Sequence, residues 1–190
     1  MKKFFLIAKE VLTHPVIFFE EAKRATLSDA VLYYFGLLLL VITVSVAIEF
    51  FVGISVFNFL EIIEELGSFT VLLIIAAPLI IVCAACIGVL LSFISAGFLH
   101  LFAKLFGGRG DYIDTYKIVA FSSTASIFSL IPLMGGLVSA AVGAVLVYYG
   151  LRVLHKLSTV RAILVIFMPL ILISILVSLI VFMFLSSFLW

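Results

Sequence analysis

K-I-V-A-F-S-S-T-A-S-I-F-S-L-I-P-L-M-G-G-L-V-S-A-A-V-G-A-V-L-V-Y-Y-G-L-R, Lys117 to Arg152, is the stretch that decides the fold class. Two apolar arms meet at Pro132 and Gly135-Gly136, with no charge between the terminal Lys and Arg. At about 1.5 Å per residue, an arm of roughly 17 to 20 residues crosses the hydrocarbon of a bilayer. The stretch therefore reads as a helical hairpin in a membrane. Apolar faces gain little by leaving lipid for one another, so spans associate where small residues let backbones approach and hydroxyls bond across helices. The first arm offers Ser122, Ser123, Thr124, Ser126 and Ser129, and the second offers Gly135, Ser139 and Gly143 at i,i+4 spacing. This doubled small-residue stripe is the expected packing centre.

The rest of the chain has the same character. Of its 190 residues 66% are apolar and 11% charged, which excludes an ordinary soluble domain. The expected fold is an all-α polytopic helical bundle of five transmembrane helices, residues 30–190, preceded by a cytoplasmic segment of amphipathic interfacial helices, residues 1–29. In that segment Phe4, Phe5, Ala8, Val11 and Leu12 share one face, and beyond Pro15 so do Phe18, Phe19 and Ala22. Such helices either lie in the headgroup plane or form a lid on the bundle. The apolar start is interrupted by Lys9 and Glu10 and lacks a small-residue cleavage site, so it is read as mature protein rather than a signal peptide.

Thr26 and Ser28, with Asp29 following, are capping candidates for a first span from about Ala30 to about Phe51, which puts Glu49 near the far interface. Glu61, Glu64 and Glu65 form an acidic connector expected to end at Gly67. The run from Phe69 to Phe102 is too long for one span and too short for two, and Pro78 marks a kink or break that leaves Leu79 to Phe102 as the second span. Along it Ala84, Gly88, Ser92, Ala96 and His100 form a second small-residue seam expected to face the central hairpin. Spans three and four are the arms of the hairpin, about 117–131 and 137–151, and a fifth runs from about Ala162 to Leu189, kinked at Pro169.

With this count all 11 Lys and Arg residues fall on one side of the membrane. The positive-inside rule makes that side cytoplasmic, with the N-terminus inside and the C-terminus outside. The six tyrosines gather at the same interface.

Chemistry is sparse. Cys83 and Cys86 lie in an apolar run without a second ligand pair, so packing is their expected role. His14, His100 and His155 all map to the inner interface, but their spacing is not that of metal ligands; no metal and no cofactor is expected. His100 and Glu49 are nevertheless the two polar residues singled out as functional candidates. No carboxylate pair lies in the bilayer core, which argues against a proton-coupled transporter. The loop Gly107-Gly108-Arg109-Gly110 lacks the ending of a phosphate-binding loop and reads as a flexible connector.

The order of H-P-V-I-F-F at His14–Phe19, T-L-S-D-A at Thr26–Ala30, Y-K-I-V-A-F-S-S-T-A-S at Tyr116–Ser126, I-P-L-M-G-G at Ile131–Gly136 and G-L-R-V-L-H-K-L-S-T-V-R-A at Gly150–Ala162 resembles the Yip-domain family of Ypt/Rab-interacting multispan membrane proteins. The resemblance implies five spans with a cytosolic N-terminus. Eukaryotic members are linked to Rab-type GTPases and to traffic between endoplasmic reticulum and Golgi. This chain lacks their long polar N-terminal region with its D-L-Y-G-P-like motif, so it looks more like a bacterial or archaeal member in the cell membrane, and a Rab-type GTPase is not the expected partner. The leading functional expectation is a non-enzymatic scaffold whose partners are the bilayer, a second copy or other membrane proteins, with no nucleic acid. The alternative is a small-solute or ion path along the hydroxyl-rich third span. A lipid-modifying enzyme would need a serine or His100 beside a base, a pairing the sequence does not display.

Overall fold

The computed structural model describes the backbone of residues 4–56 and 59–189, and side chains over 4–51, 75–169 and most of 171–186. The described elements are all helical: α1 (Phe4–Thr13), α2 (Pro15–Ala22), α3 (Leu27–Val56), α4 (Phe59–Leu105), α5 (Tyr112–Ser122), a 3-10 segment (Ser123–Leu130), α6 (Gly135–Leu154) and α7 (Thr159–Leu189). The all-α bundle is thus as expected. Three stretches are long and apolar enough to cross a membrane, Leu27–Phe51, Ile75–Leu105 and Gly135–Leu154, and Thr159–Pro169 is a shorter apolar helix.

The differences lie in how the crossings are built. Pro78 does not break the second run: α4 is continuous for 47 residues, through Gly67 as well as Pro78. At about 1.5 Å per residue it is roughly 70 Å long, more than twice the hydrocarbon thickness of about 30 Å, so its N-terminal part extends beyond a single crossing. The third segment is not one α-helix. Its α-helical part stops at Ser122 and the next eight residues wind as a 3-10 helix. The local cause is the hydroxyl content: Ser123 Oγ donates to the Val119 carbonyl at 2.7 Å, Thr124 Oγ1 to Phe121 at 2.6 Å and Ser129 Oγ to Ser126 at 2.6 Å, competing for carbonyls the α ladder would use. Ile131, extended before Pro132, then ends the segment. At the start of α6 a Cβ on Gly135 would overlap the Phe128 carbonyl, so the hairpin closes only with glycine there.

At the start of α3, Thr26 rather than Ser28 is the cap. Asp29 N–H donates to Thr26 Oγ1 at 3.2 Å while Thr26 N–H donates to Asp29 Oδ2 at 3.0 Å, a reciprocal capping box. Helices α1 and α2 turn Ala8, Val11, Phe18, Phe19 and Ala22 onto the bundle and leave Phe5, Leu6, Val16 and Ile17 exposed. The pair therefore packs as a lid and also carries an apolar outer face.

The core gathers at the end of the bundle where the basic residues lie. Its largest fully buried side chains include Tyr116, Phe19, Leu37, Ile118, Leu151 and His155. The glycine that makes this density possible is Gly150, where a Cβ would come within 2.8 Å of Ile118 Cγ1 and 3.2 Å of Phe19 Cζ. Three elements, α2, α5 and α6, meet over its bare backbone.

Candidate functional site

The polar groups of the bundle are arranged along α5. Asp111 caps it, accepting from Asp114 N–H at 2.8 Å, and this sets the register of the three residues that follow. Thr115, one turn in and fully buried, has its Oγ1 2.8 Å from His100 Nδ1 on α4, 2.8 Å from His155 Nε2 at the end of α6, and 3.1 Å from the Asp111 carbonyl. A hydroxyl has one proton and two lone pairs. All three contacts are satisfied together only if Thr115 donates to the carbonyl and both imidazoles donate to Thr115.

That assignment leaves His155 Nδ1 as a buried lone pair, and it has no partner. Burial, followed by the neighbouring His100, pushes the His155 pKa down to about 4, so the ring is neutral near pH 7. Around it folds the loop read from sequence as a flexible connector. A Cβ on Gly108 would lie 2.8 Å from His155 Nδ1, one on Gly110 would lie 3.1 Å from Cε1, and Arg109 N–H donates to the His155 carbonyl at 3.0 Å. The loop is a close-fitting sleeve for the imidazole, and its glycines are required because the ring occupies the space of their side chains.

A threonine hydroxyl between two histidines has the composition of a nucleophile with a base, a pairing the sequence did not display. Its geometry is not that of an activated nucleophile: the hydroxyl proton is directed to a main-chain carbonyl, both rings offer N–H, and Thr115 and His155 are sealed from solvent. The cluster ties three helices together at one end. Among the described residues no three His, Cys, Asp or Glu side chains could hold a metal ion, and His14 is bonded instead to Thr13, Nδ1 to Oγ1 at 2.8 Å. Farther along α5, Tyr116 OH lies 3.1 Å from Ser92 Oγ, with its ring stacked on Phe93 at 4.3 Å, and Tyr33 OH lies 2.7 Å from Thr124 Oγ1. Lys117, counted from sequence among the inner basic residues, is buried; its Nζ donates to the Lys23 carbonyl at 3.2 Å and to Asp114 Oδ1 at 3.4 Å.

The small-residue candidates divide between interior and surface. On α4, Ser92 and Ala96 are buried, Gly88 meets Leu38 of α3, with Leu38 Cδ1 2.7 Å from where its Cβ would be, and Ala84 is exposed while its neighbour Ala85 is buried. On the hairpin, Gly135 is buried and a Cβ on Gly143 would sit 3.6 Å from Ala125 Cβ. Ser122, Ser126, Ser139 and Gly143 line a cavity of about 300 Å³ between α3, the third segment and α6, and the hydroxyls of Ser122 and Ser126 are buried without partners. Glu49 is exposed on α3, and Cys83 and Cys86 are exposed on α4.

No curated protein and no solved structure matches the chain. A family model, the Yip1 domain, matches residues 9–182. This match covers the second half of α1, all of α2, the polar cluster along α5, the hairpin and most of α7. With nearly its full length accounted for in this way, the chain is a multispan, all-α membrane protein that belongs to the Yip1 domain family.

Proposed function

We propose that this protein is a non-enzymatic membrane scaffold that acts through helix–helix contacts, crossing the cell membrane five times with its N-terminus in the cytoplasm. The observation that carries the reading is on the outward side of α4. A Cβ added at Gly97 would meet nothing within 4 Å, and the neighbouring Ile94, Phe98 and Leu101 are exposed. A bare backbone notch among large apolar side chains is the geometry that lets a second transmembrane helix approach closely. Inside the bundle, by contrast, Gly88, Ser92 and Gly143 are used against this chain's own helices. The partner is a second copy or another membrane protein, and a Rab-type GTPase is no part of the reading.

The test is association in bilayers of rising lipid-to-protein ratio, read by single-molecule photobleaching and by cross-linking in native membranes. Wild-type protein is expected to associate, and Gly97→Leu to lose association while keeping its helical content. A wild-type protein that is monomeric at every ratio and cross-links to nothing overturns the scaffold.

A second reading, a path for small neutral solutes, is favoured by the cavity beside Ser122, Ser126 and Ser139, with its unpartnered hydroxyls. Polar groups in hydrocarbon that lack partners within the protein favour a bound polar guest or water. Flux of a small polyol into proteoliposomes, reduced by Ser139→Leu, is the expected result; absence of flux removes this reading.

A further inference from the structure

The sleeve around His155 does more than enclose a ring, because it brings two basic segments together. Lys104 and Arg109 belong to the end of α4 and the loop after it; Arg152, Lys156 and Arg161 belong to the turn from α6 into α7, and all five are exposed. Arg109 N–H donates to the His155 carbonyl, Gly108 and Gly110 close on the imidazole, and Arg161 Nη1 lies 3.2 Å from where a Cβ on Gly107 would be. The two segments are thus held against each other with their cations on the outside.

Nearby carboxylates leave this charge standing. Asp111 and Asp114 are the two that act on His155, and both are engaged on their own helix: Asp111 accepts from Asp114 N–H at 2.8 Å, and Asp114 is paired with Lys117 at 3.4 Å. Among the described residues Lys104, Arg109, Lys156 and Arg161 make no ion pair. Arg152 lies over the Tyr148 ring at 5.8 Å and donates to its hydroxyl at 3.3 Å, contacts that orient the guanidinium without neutralising it. Like charges gathered in this way attract an anion.

The level of the patch selects which anion. Leu105 and Leu154 are the last residues of two apolar spans, and Thr159 is the first of the shorter apolar helix. The cations therefore stand where three helices meet the headgroup layer, and a cluster of four or more Lys and Arg residues there attracts anionic lipid. Guanidinium groups match a phosphate in both charge and geometry, and the positive end of α7 adds to the same field.

We infer that the patch of Lys104, Arg109, Lys156 and Arg161, flanked by Arg152, binds the phosphodiester headgroup of an anionic phospholipid in the leaflet around α4, α6 and α7. The inference is independent of the scaffold reading and makes no use of the Gly97 notch.

The experiment is native mass spectrometry of the full chain released from micelles containing phosphatidylglycerol or phosphatidylcholine with identical acyl chains. The wild type is expected to retain phosphatidylglycerol at least about fivefold more than phosphatidylcholine. Lys104→Gln, Arg109→Gln and Lys156→Gln together, which leave Arg161 packed on Gly107, should bring the two lipids within about twofold of each other. Lys9→Gln, Lys23→Gln and Arg24→Gln together remove the same charge from exposed positions on α1 and the turn after α2, and should leave the preference intact. If circular dichroism shows the patch variant to be unfolded, Arg109→Gln with Lys156→Gln takes its place, with a preference at least about halved. Equal retention of the two lipids by the wild type, an unchanged preference in the patch variant, or an equal loss in the α1–α2 variant overturns the proposal.

Discussion

The two ends of the bundle are built by different rules. At the basic end, Tyr116, Ile118, Leu151, Thr115 and His155 are fully buried, glycines are pressed against side chains at Gly108 and Gly150, and hydroxyls and imidazoles bond across three helices. At the far end, Phe50 and Phe51 of α3, Leu133 and Met134 of the hairpin turn, and Phe182 and Phe184 of α7 are all exposed. One end is packed like the core of a soluble protein and specifies itself. The other leans on the bilayer, which solvates apolar side chains as well as a neighbouring helix would. Stability and uniqueness should therefore reside chiefly at the basic end, while the far end, Gly135 of the hairpin turn apart, tolerates change.

The largest contrast should come from glycine. Gly150→Leu forces a branched side chain onto Ile118 and Phe19 and should cost about 3 kcal/mol or more. Gly97→Leu, with open space around it, should change folding stability by less than about 0.5 kcal/mol. Denaturant titration in mixed micelles measures both, and equal losses would erase the distinction between a glycine pressed into the core and one on the outer surface of the same end. Next in size is Thr115→Val, which removes the acceptor for the imidazole N–H groups of the buried His155 and the partly buried His100 and should cost about 2 kcal/mol.

Acid should act through the same cluster. The unfolded imidazole titrates near 6.5 and the folded His155 near 4, so above about pH 6.5 both states are neutral and the ring contributes no pH dependence. As pH falls from about 6.5 toward 4 the unfolded chain takes up the proton first and stability drops. By linkage the loss is about 3 kcal/mol by pH 4. His155→Gln should flatten that slope; an unchanged slope in the variant would move the acid sensitivity elsewhere. Smallest is Tyr33→Phe, expected to cost about 1 kcal/mol through loss of the bond to Thr124. Phe182→Ala at the far end should cost less than half of that, measured alongside it.

What could be read in advance follows the same division. Membrane crossing is a property of composition, so α3, the main part of α4 and α6 were legible from uncharged runs alone. The seam on α4 was legible in spacing but not in phase: Ala85, rather than Ala84, is buried, because the helix turns Ser92 and Ala96 toward Tyr116 and their row carries back to 85. Pro78 suggests a kink or a break because proline disfavours the helix interior, and of the two the break is absent: a long apolar helix in a hydrophobic setting runs through it. The His100–Thr115–His155 cluster was hidden, since its members are far apart in sequence and none carries a motif. The one signal is indirect: Asp111 as a cap fixes Thr115 one turn in, at the inner interface to which His100 and His155 both map. The sleeve of Gly108 and Gly110 had no signal, because a glycine-rich loop looks the same whether it waves in water or wraps a ring.

The 3-10 winding of Ser123–Leu130 has a mechanical corollary. At about 2.0 Å per residue against 1.5 Å, these eight residues stand about 4 Å taller than the same residues in α form. At roughly 120° against 100° per residue, they are also overwound by nearly half a revolution. The segment is a screw thread: relaxing its pitch would retract the Pro132 tip and swing Ser126 and Ser129 to another compass bearing, coupling depth to rotation in a single stroke.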